Sequence, residues 1–145
     1  MKYMLDTNIF NRLLDGRVDI SKLPDKYSFL ATAIQLHELK ATANSTRRAQ
    51  LLEIFNQVAP EVVRTESFAF DVPGSGFGEA KWNSDNGQRV TSLKNALDSW
   101  KLKSNNLQDA LIAEVALVNG FGLITADEGL SEIAQQHGIN VQYVP

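Results

Sequence analysis

Short apolar runs alternate with helix-period segments along this chain. Tyr3-Met4-Leu5 runs into Asp6-Thr7-Asn8, and Ile9 to Leu14 then reads as a short helix stopped by Gly16. After a turn at Leu23 to Lys26, Tyr27 to Ala31 is strand-like and Ala33 to Ala43 helical. Ser45 or Thr46 caps a further helix, whose apolar positions Leu51, Leu52, Ile54, Phe55 and Val58 recur at helical spacing before Pro60. Val62-Val63 and Phe68-Ala69-Phe70 are weak strand candidates. Val72 to Gly87 is glycine-rich and reads as a loop, with a short helix around Glu79 to Trp82. Val90, Leu93, Leu97 and Trp100 form one helical stripe, which places Trp100 in the core. Leu107 to Val118 is strongly amphipathic and closes at Asn119-Gly120. A strand at Phe121 to Ile124, a helix at Leu130 to Gln136 and a strand at Ile139 to Val144 complete the pattern. Strands alternating with helices predict an α/β fold of three layers, α/β/α, on a central parallel sheet.

Composition narrows the class. The length of 145 residues fits one domain spanning 1–145, and 43% hydrophobic with 21% charged residues excludes a wholly disordered chain. The absence of cysteine removes disulfides, thiol catalysis and cysteine metal sites, and suits a cytoplasmic protein. Asp6 interrupts the N-terminus before a signal peptide can form, and no apolar run approaches the ~18–20 residues of a membrane span. The net charge of −3 gives no general affinity for polyanions. It is unevenly spread, however. Lys81, Arg89, Lys94, Lys101 and Lys103 stand against Asp85 and Asp98, whereas Ser104 to Pro145 holds acids but no Lys or Arg.

Topology gathers four of the acids. In a parallel sheet, ligands sit outside the carboxyl ends of the strands. Asp6 follows the first strand and Asp127 follows Phe121–Ile124. Asp109 lies in the first turn of the helix leading into that strand, so it returns to the same edge. Glu38 is two turns into its helix, and its long side chain leans back toward the helix start. Each acid has an ordinary alternative as a helix cap or a solvated residue, but those roles do not explain why all four reach one edge. A cluster of carboxylates loses protons or spreads apart unless a cation joins it. Oxygen donors without cysteine or a histidine spacing point to Mg²⁺ or Mn²⁺, one ion or two. His37 and His137 are read as structural or surface residues.

The motifs around these acids resemble those of the PIN-domain ribonucleases, and most of all the small VapC-type toxins of bacterial toxin–antitoxin pairs. Met4-Leu5-Asp6-Thr7-Asn8 is similar to the family's N-terminal aspartate motif and Leu36-His37-Glu38-Leu39 to its helix glutamate motif. Asn106 to Ala113 is similar to the third motif and Leu123-Ile124-Thr125-Ala126-Asp127 to the fourth. Each is short; their order and spacing over nearly the whole chain carry the resemblance. It implies metal-dependent hydrolysis of RNA phosphodiesters, with Asp6, Glu38, Asp109 and Asp127 as catalytic metal ligands. Asn8 and Thr125 are expected to orient them. It also implies a homodimer and a cognate antitoxin that restrains the activity.

Other assignments fit less well. Position 8 lacks the second aspartate of a haloacid-dehalogenase phosphatase, and Gly74 to Gly78 lacks the Gly-Lys-Ser/Thr ending of a phosphate loop. A receiver-type signalling domain has no use for Asp109. A catalytically silent PIN-like binding module and a housekeeping PIN nuclease are the remaining alternatives. Lys81, Arg89 and Lys94 are candidate RNA contacts, with a solvated helix face as the competing reading. Phe77 and Trp82, beside Gly76 and Gly78, are candidate partner contacts.

Overall fold

A computed structural model of the chain describes residues 1–23, 28–58, 60–67, 69, 72–76 and 87–145. Among the described residues, five strands form one parallel sheet: β1 (Lys2–Leu5), β2 (Ser28–Thr32), β3 (Glu61–Val63), β4 (Gly122–Thr125) and β5 (Val141–Tyr143). Their order is β3-β2-β1-β4-β5. The chain builds outward from β1 to β3, then crosses back to place β4 on the other side of β1. The carboxyl ends of β1 and β4 therefore flank the point where the strand order reverses, and an open α/β sheet leaves a crevice there.

Register explains why the strands read as unbroken apolar runs. Met4 lies opposite Leu30 and Leu123, and all three enter one core. Their neighbours Leu5, Ala31 and Ile124 enter the other. With both faces covered, neither set of alternating positions can be polar.

Helices α1 (Thr7–Leu14) and α3 (Ser45–Val58) cover one face, with Phe10 and Phe55 meeting at a ring-centroid distance of 5.3 Å. Helix α2 (Ala33–Lys40) packs against α3. Helices α4 (Gln88–Trp100), α5 (Asn106–Asn119) and α6 (Glu128–Gln136) cover the other face. Helix α5 is buried along most of its length and ends at Gly120, whose φ of 69° is the left-handed closure that the Asn-Gly pair predicts. Among the described residues, no helix is long and apolar enough to cross a membrane.

The differences from the sequence pattern are local. The helix expected over Ala33 to Ala43 ends at Lys40, where Ala41 caps it. Ala69 is not in a strand, and Phe68 and Phe70 lie outside the described residues, as do Tyr27 and the segment Glu79 to Trp82. Trp100 departs from its stripe. Val90, Leu93 and Leu97 are buried, but Trp100 is 48% exposed. It ends α4 and lays its indole edge over Gly129, where a Cβ would come within 2.6 Å of Trp100 Cδ1.

Candidate active site

The site is assembled by backbone that has other reasons to be where it is. The Asp6 N–H donates to the carbonyl of Ile124 at 3.0 Å, fixing Asp6 against the end of β4. Asp6 caps α1, its Oδ1 accepting from the Thr7 N–H at 2.8 Å, while its Oδ2 accepts from Thr125 Oγ1 at 2.7 Å. A capping box between Thr32 and Gln35 starts α2. Gln35 also donates to the carbonyl of Leu5 at 2.9 Å, which ties the first turn of α2 to the end of β1. Glu38, one turn further on, then reaches back to accept from Thr7 Oγ1 at 2.9 Å. Asp127 caps α6 by accepting from the Leu130 N–H at 2.9 Å. Asn8 accepts from the Ala126 N–H at 3.1 Å, so it braces the turn carrying Asp127 rather than a carboxylate.

Asp109 completes the set from the first turn of α5. One cavity of about 190 Å³ is lined by Asp6, Thr7, Asn8, Asn11, Glu38, Asn105, Asp109 and Asp127. The four acids that the sequence places at one edge thus share a pocket at the carboxyl ends of β1 and β4. A larger cleft of about 310 Å³ lies between α1 and α3, but it is mostly apolar, with Asp19 its one charged lining residue among the described residues.

The electrostatics divide the acids. Burial pushes Asp6 up to about 6 and Glu38 up to about 7, against the threonine hydrogen bonds that favour their charged forms. Asp109 is driven well above the ordinary carboxylate range, by burial first and then by Asp6, Asp127 and Glu38. It is only 5% exposed, and its carboxylate receives no hydrogen bond among the described residues. Asp127 behaves oppositely. Burial raises it, but the Lys103 ammonium and the N–H groups starting α6 outweigh burial and hold it below the ordinary range. Lys103 Nζ donates to Asp127 Oδ2 at 2.5 Å and is itself raised, because the surrounding carboxylates outweigh its desolvation.

The basic and aromatic candidates fare differently. Lys81, Phe77 and Trp82 lie outside the described residues. Arg89 sits 3.5 Å from Glu114, a fully buried acid on α5, so its guanidinium serves an internal ion pair. Lys94 pairs with Asp98 on its own helix at 2.7 Å. Thr7 and Lys103 are the participants that pattern reading missed. Thr7 reads as a cap from sequence, and Lys103 as one more residue of a basic segment; neither shows its partner until β1, α2 and α6 are brought together. His137 lies at the end of α6 with Nδ1 2.8 Å from the carbonyl of Ile133, away from the pocket.

The donor set suits a hard divalent ion. All four charged groups offer oxygen, with Asn105 as a neutral group beside them; the side-chain oxygens of Asn8 and Asn11 accept from the Ala126 N–H and from Arg47. Among the described residues, no three Asp, Glu or His side chains already form a metal cage. In this arrangement Asp127 pairs with Lys103, and Asp6 and Glu38 accept from Thr125 and Thr7. Asp109 supplies the unmet demand, as a buried acid facing three others with neither donor nor counter-ion in contact among the described residues.

No protein-family model and no curated protein sequence matches the chain. Solved structures do match over its full length. A chain of the VapBC2 complex from Rickettsia felis, crystallised with a DNA fragment of its promoter, superposes with a TM-score of 0.61 at 20% identity, covering 100% of both chains. VapBC-1 from nontypeable Haemophilus influenzae gives 0.60 at 21% identity, covering 99% of this chain and 98% of the other. A PilT N-terminus domain protein from Sulfolobus solfataricus gives 0.52 at 14%, covering 99% and 87%. The fold is therefore the one that these toxin–antitoxin and PilT N-terminus proteins share.

Proposed function

We propose that this chain, which has the fold of the VapC-like PIN domains, is a divalent-metal-dependent endoribonuclease and the toxin of a toxin–antitoxin pair. The observation that carries the reading is Asp109, which is buried beside Asp6, Glu38 and Asp127 in one cavity and has no hydrogen-bond donor among the described residues. Burying such a carboxylate unpaired is costly, and a fold keeps one where a ligand will meet it.

Asp6, Glu38, Asp109 and Asp127 would hold Mg²⁺ or Mn²⁺. When bound, the ion supplies a Lewis acid for the phosphodiester and for the attacking water. The protein's own groups set the geometry. Thr125 and Thr7 donate to Asp6 and Glu38 and orient their carboxylates. Asn8 locks the turn that presents Asp127. Burial brings Glu38 to about 7 without metal, and a bound ion would hold it in its charged form. The neighbouring VapBC structures are complexes with antitoxins, which supports an antitoxin partner for this chain as well. A homodimer belongs to the same proposal.

The test is cleavage of a mixed-sequence RNA by wild type and by Asp109→Asn, with Mn²⁺ and with excess chelator. Cutting by wild type alone, abolished by chelator, is the expected result. Equal cutting by both proteins, or cutting in chelator, overturns the reading.

A further inference from the structure

A second, mainly apolar pocket of about 190 Å³ adjoins the acidic one and shares Glu38 with it. Its other walls are Ile34 and His37 from α2, Ala41 from its cap, Pro73 from the glycine-rich segment, and Gln108 from the first turn of α5. We propose that this pocket binds one nucleobase of the RNA whose phosphodiester lies in the acidic cavity, and so sets where the chain is cut. The inference rests on the ribonuclease reading and extends it from chemistry to specificity.

Three features support a base rather than another group. The pocket borders the acidic cavity at Glu38 and at the adjacent residues Gln108 and Asp109, so one ligand can reach both. Its composition is that of a base site: apolar and imidazole surface for a flat ring, and an amide for a ring edge. Gln108 also carries an unsettled account. Its Oε1 is buried and accepts no hydrogen bond among the described residues. The side chain as a whole is only partly buried, so a rotation presents that amide to a base edge and satisfies it.

The wall is also preformed. Gly74 adopts a φ of 99°, and a Cβ there would lie 2.3 Å from the Ile34 nitrogen, so the backbone next to Pro73 rests directly on α2. Behind it, Ser75 Oγ donates to the carbonyl of Ser67 at 2.7 Å and meets the Thr65 hydroxyl at 2.9 Å. The Ala69 N–H donates to the carbonyl of Ser75 at 2.8 Å. A site held this way loses little freedom when a ring enters.

The experiment measures binding of labelled single-stranded RNA to Asp109→Asn in the presence of Mn²⁺, with each nucleotide made abasic in turn. One position is expected to matter, its abasic form binding about tenfold more weakly. Adding Ala41→Phe, which fills the pocket, or Gln108→Leu, which removes the amide, should erase that difference. Each of these two changes, made in wild type, should also alter the base found at the cleavage sites of a mixed-sequence RNA. Two variants are used so that a folding failure in one leaves the other decisive. Binding indifferent to every abasic replacement, or an abasic penalty unchanged in both variants, overturns the base pocket while leaving the ribonuclease reading standing; the pocket would then pass to a protein side chain. Absence of both RNA binding and cleavage overturns the ribonuclease reading and this inference with it.

Discussion

Helix α5 buries two acids one and a half turns apart, and they teach different lessons. Glu114 is 0% exposed in the middle of the helix, and Arg89 of α4 stands 3.5 Å from it. Asp109 is almost as deeply buried at the helix start, but it faces Asp6, Glu38 and Asp127, and among the described residues no Lys or Arg pairs with it. The first acid has its counter-charge inside the fold. The second has an unmet demand for one. Burial alone therefore does not mark a functional acid; what marks it is a charge that the protein leaves for something else to neutralise.

Exchanging each acid for its amide should separate the two roles. Asp109→Asn is expected to lower RNA cleavage by at least about a hundredfold. The same change should raise the unfolding midpoint of the metal-free protein, because it removes a buried charge without a partner. Glu114→Gln should do the reverse. It leaves Arg89 without its counter-ion and should cost about 2 kcal/mol in chemical unfolding, less than a fully dry pair because Arg89 keeps contact with solvent. Cleavage per folded molecule should survive it. An Asp109→Asn protein that is active, or a Glu114→Gln protein that is inactive though folded, breaks the comparison.

Titration should sharpen it. Carboxyl groups raised in the folded state favour folding when protonated. That contribution is complete below their unfolded values near 4 and is lost as pH rises through about 6 for Asp6 and about 7 for Glu38. Metal-free protein should therefore unfold at a higher temperature at about pH 5 than at about pH 8. Asp109→Asn should reduce that difference, and saturating Mn²⁺ should flatten it by favouring the charged carboxylates. A metal-free wild type that gains stability steadily toward about pH 8 would contradict the electrostatic account.

The smallest expected effect concerns Lys103. Its ammonium sits on Asp127, so Lys103→Met should tighten Mn²⁺ binding by about tenfold, and Lys103→Arg should not. Equal affinities in all three proteins would make the Lys103–Asp127 pair a packing detail.

How much of this could be read before the fold was known depends on the kind of information each residue carries. Asp6, Glu38, Asp109 and Asp127 were legible because strand ends and helix starts have fixed positions in a parallel sheet. The continuous apolar strands and the Asn-Gly stop after α5 were legible for the same reason: their causes are local. Arg89, Lys103 and Trp100 were not. Arg89 and Lys94 look alike in a basic segment, yet only Arg89 faces an acid on the neighbouring helix. Trp100 follows the periodicity of Val90, Leu93 and Leu97, but α4 runs past the core at its last turn and the indole meets Gly129 instead. Side-chain partners from distant segments leave no periodic trace. The pocket beside Glu38 was hidden in the same way, since Pro73 and Gln108 line it together only when Pro73 and Gly74 are laid against α2.

The central claim is that Asp109 awaits a divalent ion. Calorimetric titration of Mn²⁺ into the metal-free protein tests it without reference to any RNA. Wild type and Glu114→Gln should bind with similar affinity, and Asp109→Asn should bind at least about tenfold more weakly. Undetectable binding to wild type, or binding that Asp109→Asn leaves unchanged, would contradict it.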